Sequence, residues 1–258
     1  MTRIIFNADD LGYSEAVTLG IIKAHQDGLI KTTTMMTNME AAEMAAKLAK
    51  ENPGLYVGQH SNVVVGRPCS DPKDIPSLVD ENGFFNTKAR QKAGIPLDPE
   101  DIRREVRAQA ERFKELMGYY PTHIEGHAIR DKGLFYAIKS VATELGVHYT
   151  DVERDAFNGT EIIGANHYGY EIPVYPDVMY YMDQVDINYW LEDRGHLLEK
   201  DLVEMHTHPG YIDQYLLDHS SYNITRAKEV EIACSKELKE WAQKNNVSFI
   251  TFEDIQKL

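Results

Sequence analysis

Cysteine is scarce: the 258 residues hold Cys69 and Cys234, far apart and in no CxxC pair. That excludes a disulfide framework and a cysteine-based zinc site. Positive charge is also short, with 27 Lys and Arg against 41 Asp and Glu, a formal net charge of −14. A nucleic-acid backbone or an anionic membrane surface is therefore not the expected partner. No apolar run approaches about 18 residues, so no membrane-spanning helix is predicted. Met1-Thr2-Arg3 leads into the short stretch Ile4-Ile5-Phe6 and then polar residues, without the apolar region of a secretory signal. A cytoplasmic, reduced, soluble protein is expected. The glycosylation-type triplets at Asn158 and Asn223 carry no weight without such a signal. HExxH, P-loop and GxGxxG patterns are absent. Gly12-Tyr13-Ser14-Glu15-Ala16 lacks the last glycine of a nucleophile elbow, which disfavours a serine hydrolase.

What is present fits one folded unit. Hydrophobic residues make up 43% and charged residues 26%, a globular composition. The length suits one α/β barrel, which commonly takes about 250 residues. Short apolar runs alternate with helical patterns. Strands are predicted near 3–6, 31–36, 55–60, 122–127, 147–149, 202–205 and 247–251, with helices between them. Ser14 is a plausible N-cap for the first helix, and Asp98-Pro99-Glu100 opens the clearest one. The segment 225–244 reads as a single helix, and a helix is possible near 178–191. Residues 61–97 carry Pro68, Pro72, Pro76, Gly83, Gly94 and Pro96, and read as a long loop of functional or mobile character. The β-α-β-α rhythm argues for a parallel sheet, open or closed into a barrel.

The polar residues concentrate at strand ends. Asp9 and Asp10 follow the first strand, His60 closes the third, His127 closes the strand after the long helix, and His206 and His208 follow a late one. In a parallel barrel these positions meet at the C-terminal rim. Two imidazoles and a carboxylate suit a divalent metal with open positions, a second carboxylate suits a general base, and a further histidine suits a general acid. Each position also has a structural reading. An Asp-Asp pair can cap a helix, and His123, Glu125 and His127 can form a buried polar network without metal. His25, His148, His167, His196 and His219 are read as structural. Six tyrosines, from Tyr168 to Tyr189, could stack on sugars, but such rings are more often core or subunit-interface residues.

Four ordered motifs carry a resemblance: Asn7-Ala8-Asp9-Asp10-Leu11-Gly12; Gly58-Gln59-His60-Ser61-Asn62 with Gly66-Arg67-Pro68; Pro121-Thr122-His123-Ile124-Glu125-Gly126-His127; and Met205-His206-Thr207-His208-Pro209-Gly210. Ser220-Ser221-Tyr222-Asn223 with Arg226 and Glu229 adds a fifth. Together they resemble the YdjC/ChbG-type carbohydrate deacetylases over essentially the whole chain. The resemblance implies a distorted (β/α) TIM-like barrel of the polysaccharide-deacetylase type, as a single catalytic domain over residues 1–258. It implies removal of N-acetyl groups from short, chitin-derived amino-sugar oligosaccharides, with a divalent metal, magnesium or zinc, and a homodimer. Carried over by position, Asp10, His60 and His127 are the metal ligands, Asp9 the general base, and His208 the general acid. Arg226 holds Asp9 by an ion pair.

The sequence departs from the family at Glu125, where Asp is usual, at Ile129, where a further His is frequent, and at Ser61, where Leu is common. These changes bear on the substrate. Arg67 and Arg130 could meet a phosphorylated sugar, although Arg130 equally suits a surface position or a pair with Asp131. Two alternatives stand beside the deacetylase: another metal-dependent barrel hydrolase, and a non-catalytic sugar-binding protein on a decayed scaffold.

Overall fold

Ile4-Ile5-Phe6 belongs to the hub of a curled parallel sheet. The structure is a computed structural model that describes residues 1–129, 131–150, 163–165, 171–173 and 185–255. In chain order the elements are β1 (Arg3–Leu11), α1 (Glu15–Gln26), β2 (Thr32–Met35), α2 (Ala42–Glu51), β3 (Tyr56–Ser61), α3 (Thr87–Lys92), α4 (Pro99–Met117), β4 (His123–Gly126), α5 (Lys132–Leu145) and β5 (His148–Tyr149). Then follow β6 (Ile163–Ala165), β7 (Glu171–Pro173), α6 (Ile187–Leu191), β8 (Leu202–Thr207), α7 (Gln214–His219), α8 (Thr225–Cys234), α9 (Lys236–Lys244), β9 (Ser248–Ile250) and α10 (Phe252–Ile255).

The strands pair in the order β5-β4-β3-β2-β1-β8, and β9 also pairs with β1. Every pairing in this sheet is parallel. It forms a half-barrel with helices outside, as the alternating pattern predicts. β6 and β7 form a separate antiparallel pair. Among the described residues, no helix is long and apolar enough to cross a membrane.

Alternation decides which residues enter the interior. On β1, Ile4 and Phe6 pack outward into the main core, where Phe6 meets Trp190 edge-on with ring centroids 5.1 Å apart. Ile5 points the other way and joins Phe252 and Ile255 of α10. Phe252 stacks on His123 at 4.1 Å. Gly58 is required there, because a Cβ would lie 2.5 Å from the His123 ring.

Two sequence expectations are corrected. The helix expected over 225–244 is broken at Ser235, whose φ of −63° and ψ of 147° are extended. Its Oγ accepts from the Leu238 amide at 3.2 Å, so the residue ends α8 and caps α9. Residues 61–97 are also not a bare loop. They hold a 3-10 turn at Pro72–Asp74 and α3, and bury Val63, Ile75 and Leu78 against Ile102 and Val106 of α4. Glu105 fixes this excursion by accepting the amides of Cys69 and Ser70, each at 2.9 Å. The possible helix near 178–191 is present as α6, while residues 178–184 lie outside the described part. Tyr189 is a fully buried core residue, and the other five tyrosines of that group lie outside the described residues.

Candidate active site

The end of β1 builds the first half of the site. In a regular strand Asp9 and Asp10 would face opposite sides of the sheet. Here the β1–β2 register shifts between Ala8 and Leu11, and Asp10 takes a left-handed φ of 74°. Aspartate tolerates that region better than most residues. The bulge lets both carboxylates serve one interior.

Asp10 meets the ends of β3 and β4. Its Oδ1 stands 3.2 Å from His60 Nε2 and 3.1 Å from His127 Nδ1, and those nitrogens are 3.1 Å apart. Donor atoms around a cation at about 2.1 Å are separated by roughly 3.0 Å in an octahedron and 3.4 Å in a tetrahedron. The triangle falls between these limits. Asp10 Oδ1 is buried and accepts no hydrogen bond, and two borderline nitrogens with one hard oxygen form a suitable donor set. Asp10, His60 and His127 therefore fit a divalent cation.

The pairing expected for Arg226 is corrected. It reaches from α8 to Asp10, not Asp9, and donates to Asp10 Oδ2 at 2.6 Å. Its Nε donates to the Tyr222 carbonyl at 2.8 Å. The reason is geometric: the bulge turns the far oxygen of Asp10 toward α8, while Asp9 lies on the β8 side. Burial opposes charge on Asp10, but Arg226, His127 and His60 outweigh it and hold the carboxyl well below the usual range.

Asp9 is held by β1 and β8. Asn7 Nδ2 donates to its Oδ1 at 2.9 Å, and His206 Nδ1 lies 3.1 Å from the same oxygen. His208 Nε2 stands 3.6 Å from Asp9 Oδ2. The His208-Pro209-Gly210 turn is pinned closely, since a Cβ on Gly20 of α1 would lie 2.5 Å from the Gly210 Cα. The His208 amide donates to Glu229, which also accepts from the Tyr222 hydroxyl at 2.8 Å.

Glu125 joins the two halves. Its Oε1 lies 2.9 Å from His60 Nδ1 and accepts from Asn7 at 3.1 Å and from Thr34 Oγ1. Its Oε2 lies 3.1 Å from His206 Nδ1. Burial works against its charge, but His206 and His60 hold it well below the ordinary value. Burial likewise works against a proton on His60, yet contacts with Asp10 and Glu125 push that ring up to about 10 in the metal-free protein.

The interior thus gathers Asp9, Asp10, His60, His127, His208 and Arg226, the residues to which the resemblance gave a catalytic or metal-binding role. His123 is not among them, because it faces Phe252 instead. Arg67 donates to the Asn82 carbonyl at 3.1 Å and covers the Phe84 ring. Arg130 lies outside the described residues. Asp131 caps α5 through the Gly133 amide at 2.7 Å. Sequence reasoning gave no role to Asn7, Thr34 or Glu204. Their signal was present, since a carboxylate or a threonine run in a wholly buried strand needs internal partners.

The chain is 31% identical to carbohydrate deacetylase 2 of Listeria innocua over 99% of both chains. It is 36% identical to a carbohydrate deacetylase of Oceanobacillus iheyensis, covering 93% of this chain and all of that one. A crystal structure from Enterococcus faecalis V583, described as a candidate cellobiose-phosphate cleavage protein, superposes with a TM-score of 0.83 at 26% identity, over 98% of each chain. Residues 3–244 match the profile of the YdjC-like proteins, and the chain belongs to that family.

Proposed function

We propose that the protein is a metal-dependent carbohydrate deacetylase, a single catalytic barrel over residues 1–258. Its substrates would be short amino-sugar oligosaccharides of the chitooligosaccharide type, with or without phosphate. The observation that carries this reading is the Asp10–His60–His127 triangle standing beside a separate carboxylate–imidazole pair, Asp9 and His208. The relatives named carbohydrate deacetylases support the substrate class.

Asp10, His60 and His127 would hold magnesium or zinc. The bound cation would polarise the acetyl carbonyl and lower the pKa of a water. The remaining steps belong to the chain. Glu125 faces His60 Nδ1 at 2.9 Å, which leaves Nε2 free to act as a ligand. Arg226 neutralises the far oxygen of Asp10 and fixes its direction. Asp9 takes a proton from water as the water oxygen bonds to the acetyl carbon.

His208 enters this reaction neutral, because burial pulls its imidazole down to about 4. The proton for the leaving amine must reach it during turnover. Asp9 Oδ2, 3.6 Å from His208 Nε2, is the neighbour that has just gained one. His208 passes that proton to the amide nitrogen as the C–N bond breaks. Acetate and a free amine leave, and Asp9 is a carboxylate again. Glu229 and Tyr222 keep the His208 segment in place. Glu125, which stands where the family usually has Asp, is bonded into the site, which favours an enzyme.

The test is acetate release from N,N′-diacetylchitobiose and its 6-phosphate, using metal-stripped protein resupplied with magnesium or zinc. Metal-dependent acetate that disappears in His60→Ala is expected. Metal binding without acetate would move the chain to another hydrolase. Neither metal binding nor acetate would favour the non-catalytic alternative.

A further inference from the structure

His206 has no part in the proton path above, yet it sits among three buried carboxylates. Its Nδ1 lies 3.1 Å and 3.2 Å from the two oxygens of Asp9 and 3.1 Å from Glu125 Oε2. Its Nε2 lies 3.2 Å from Glu204 Oε1, and Thr150 Oγ1 donates to the other Glu204 oxygen at 2.9 Å. By residue type and spacing, with ligand atoms within 4.8 Å of one another, Asp9, Glu125 and His206 could hold a second cation.

Two observations argue against a second ion. Asn7 Nδ2, a donor, already bridges Asp9 Oδ1 at 2.9 Å and Glu125 Oε1 at 3.1 Å, which would leave a cation one unengaged oxygen of each carboxylate. Carboxylate oxygens also face both ring nitrogens of His206. A neutral imidazole would turn a lone pair against one of them, whereas a doubly protonated ring donates to both sides. Among the described residues, Asp9, Glu125 and Glu204 form ion pairs with histidines alone. Buried carboxylates without a countercharge would be costly.

We propose that His206 is the positioning residue for Asp9, and that its ring, fixed from behind by Glu204, supplies the positive charge that a second metal ion would otherwise bring. The positioning role rests on the deacetylase reading, in which Asp9 is the base. Glu204 fixes the direction of the ring, and the ring fixes Asp9 beside His208.

The experiment compares wild type, His206→Gln and His206→Asn by metal analysis, steady-state kinetics and crystallography. Asn keeps a donor near the Nδ1 position toward Asp9, whereas Gln moves it toward Glu204. One metal ion per chain is expected in all three. His206→Gln should lower kcat about 10²-fold with KM within about threefold, and His206→Asn should recover at least about tenfold of that loss. The Asp9 carboxylate should turn from its wild-type position in the Gln variant. Two ions in wild type falling to one in the variants would overturn the proposal, as would unchanged kcat with Asp9 unmoved. Should the wild type release no acetate, the deacetylase reading fails by itself, and the metal count and the position of Asp9 still decide this proposal. Glu204→Gln serves where His206→Gln does not fold, with kcat down about tenfold and one ion retained.

Discussion

At the level of Ile5, His123 and His148, the half-barrel interior is filled by hydrocarbon and rings, with Phe252 stacked on His123 and tilted against His148 at 5.4 Å. Further along the same strands it is filled by Asp9, Asp10 and Glu125 with their imidazole and guanidinium partners, and Glu204, the register partner of Ile5, stands at the boundary between the two levels. Histidine occupies both levels and behaves oppositely in them. Burial drives His123 down to about 3, so it packs as a neutral ring. His60 is as deeply buried, but contacts with Asp10 and Glu125 carry it up to about 10. Residue type therefore does not assign the role. What faces the ring does. The apolar level holds the strands together, and the charged level requires them held, because its carboxylates repel one another whenever their partners shift.

The largest expected contrast is catalytic. Asp9→Asn should lower kcat by about 10²–10⁴ while thermal unfolding stays close to wild type. Activity within threefold of wild type would remove Asp9 from the chemistry. The reverse change lies at the other level. Phe252→Ala should cost about 3–5 kcal/mol of stability by denaturant unfolding, because the side chain is 1% exposed and leaves a cavity. Its kcat, measured well below the unfolding transition, should change much less than that of Asp9→Asn. A loss of activity without loss of stability would show that the two levels are not separable.

A smaller effect sharpens the boundary of the charged level. Burial lifts Glu229 from 4.5 to about 7. Below about pH 4.5 the folded and unfolded chains both carry this proton. Between about 4.5 and 7 the unfolded chain gives it up first, so the folded state binds more protons and stability falls as pH rises. The contribution is about 3 kcal/mol across that window. Glu229→Gln should remove this slope from a urea-midpoint series, and parallel curves for the two proteins would refute the assignment.

Much of the fold was legible because it is local. β1 follows from one apolar run, α4 from Asp98-Pro99-Glu100 at its start, and the parallel sheet from alternation of strands and helices. The break at Ser235 was not legible, because the apolar spacing continues across it and a side-chain cap decided the outcome. The excursion over 61–97 looked like a loop because its apolar residues have no period, and they find partners on α4 instead.

The sequence by itself determined which chemical groups arrive at the strand ends: carboxylates at the end of β1, imidazoles at the ends of β3, β4 and β8, and a guanidinium on α8. Tertiary structure decided who faces whom. Arg226 pairs with Asp10 across 216 positions, and Thr34 reaches Glu125 across 91. Asp10 takes a left-handed turn that strand periodicity does not predict. Such pairings depend on register, twist and a one-residue bulge, which set side-chain directions over distances of an ångström or two. Spacing along a chain encodes which face a residue takes, but not which neighbour it meets there.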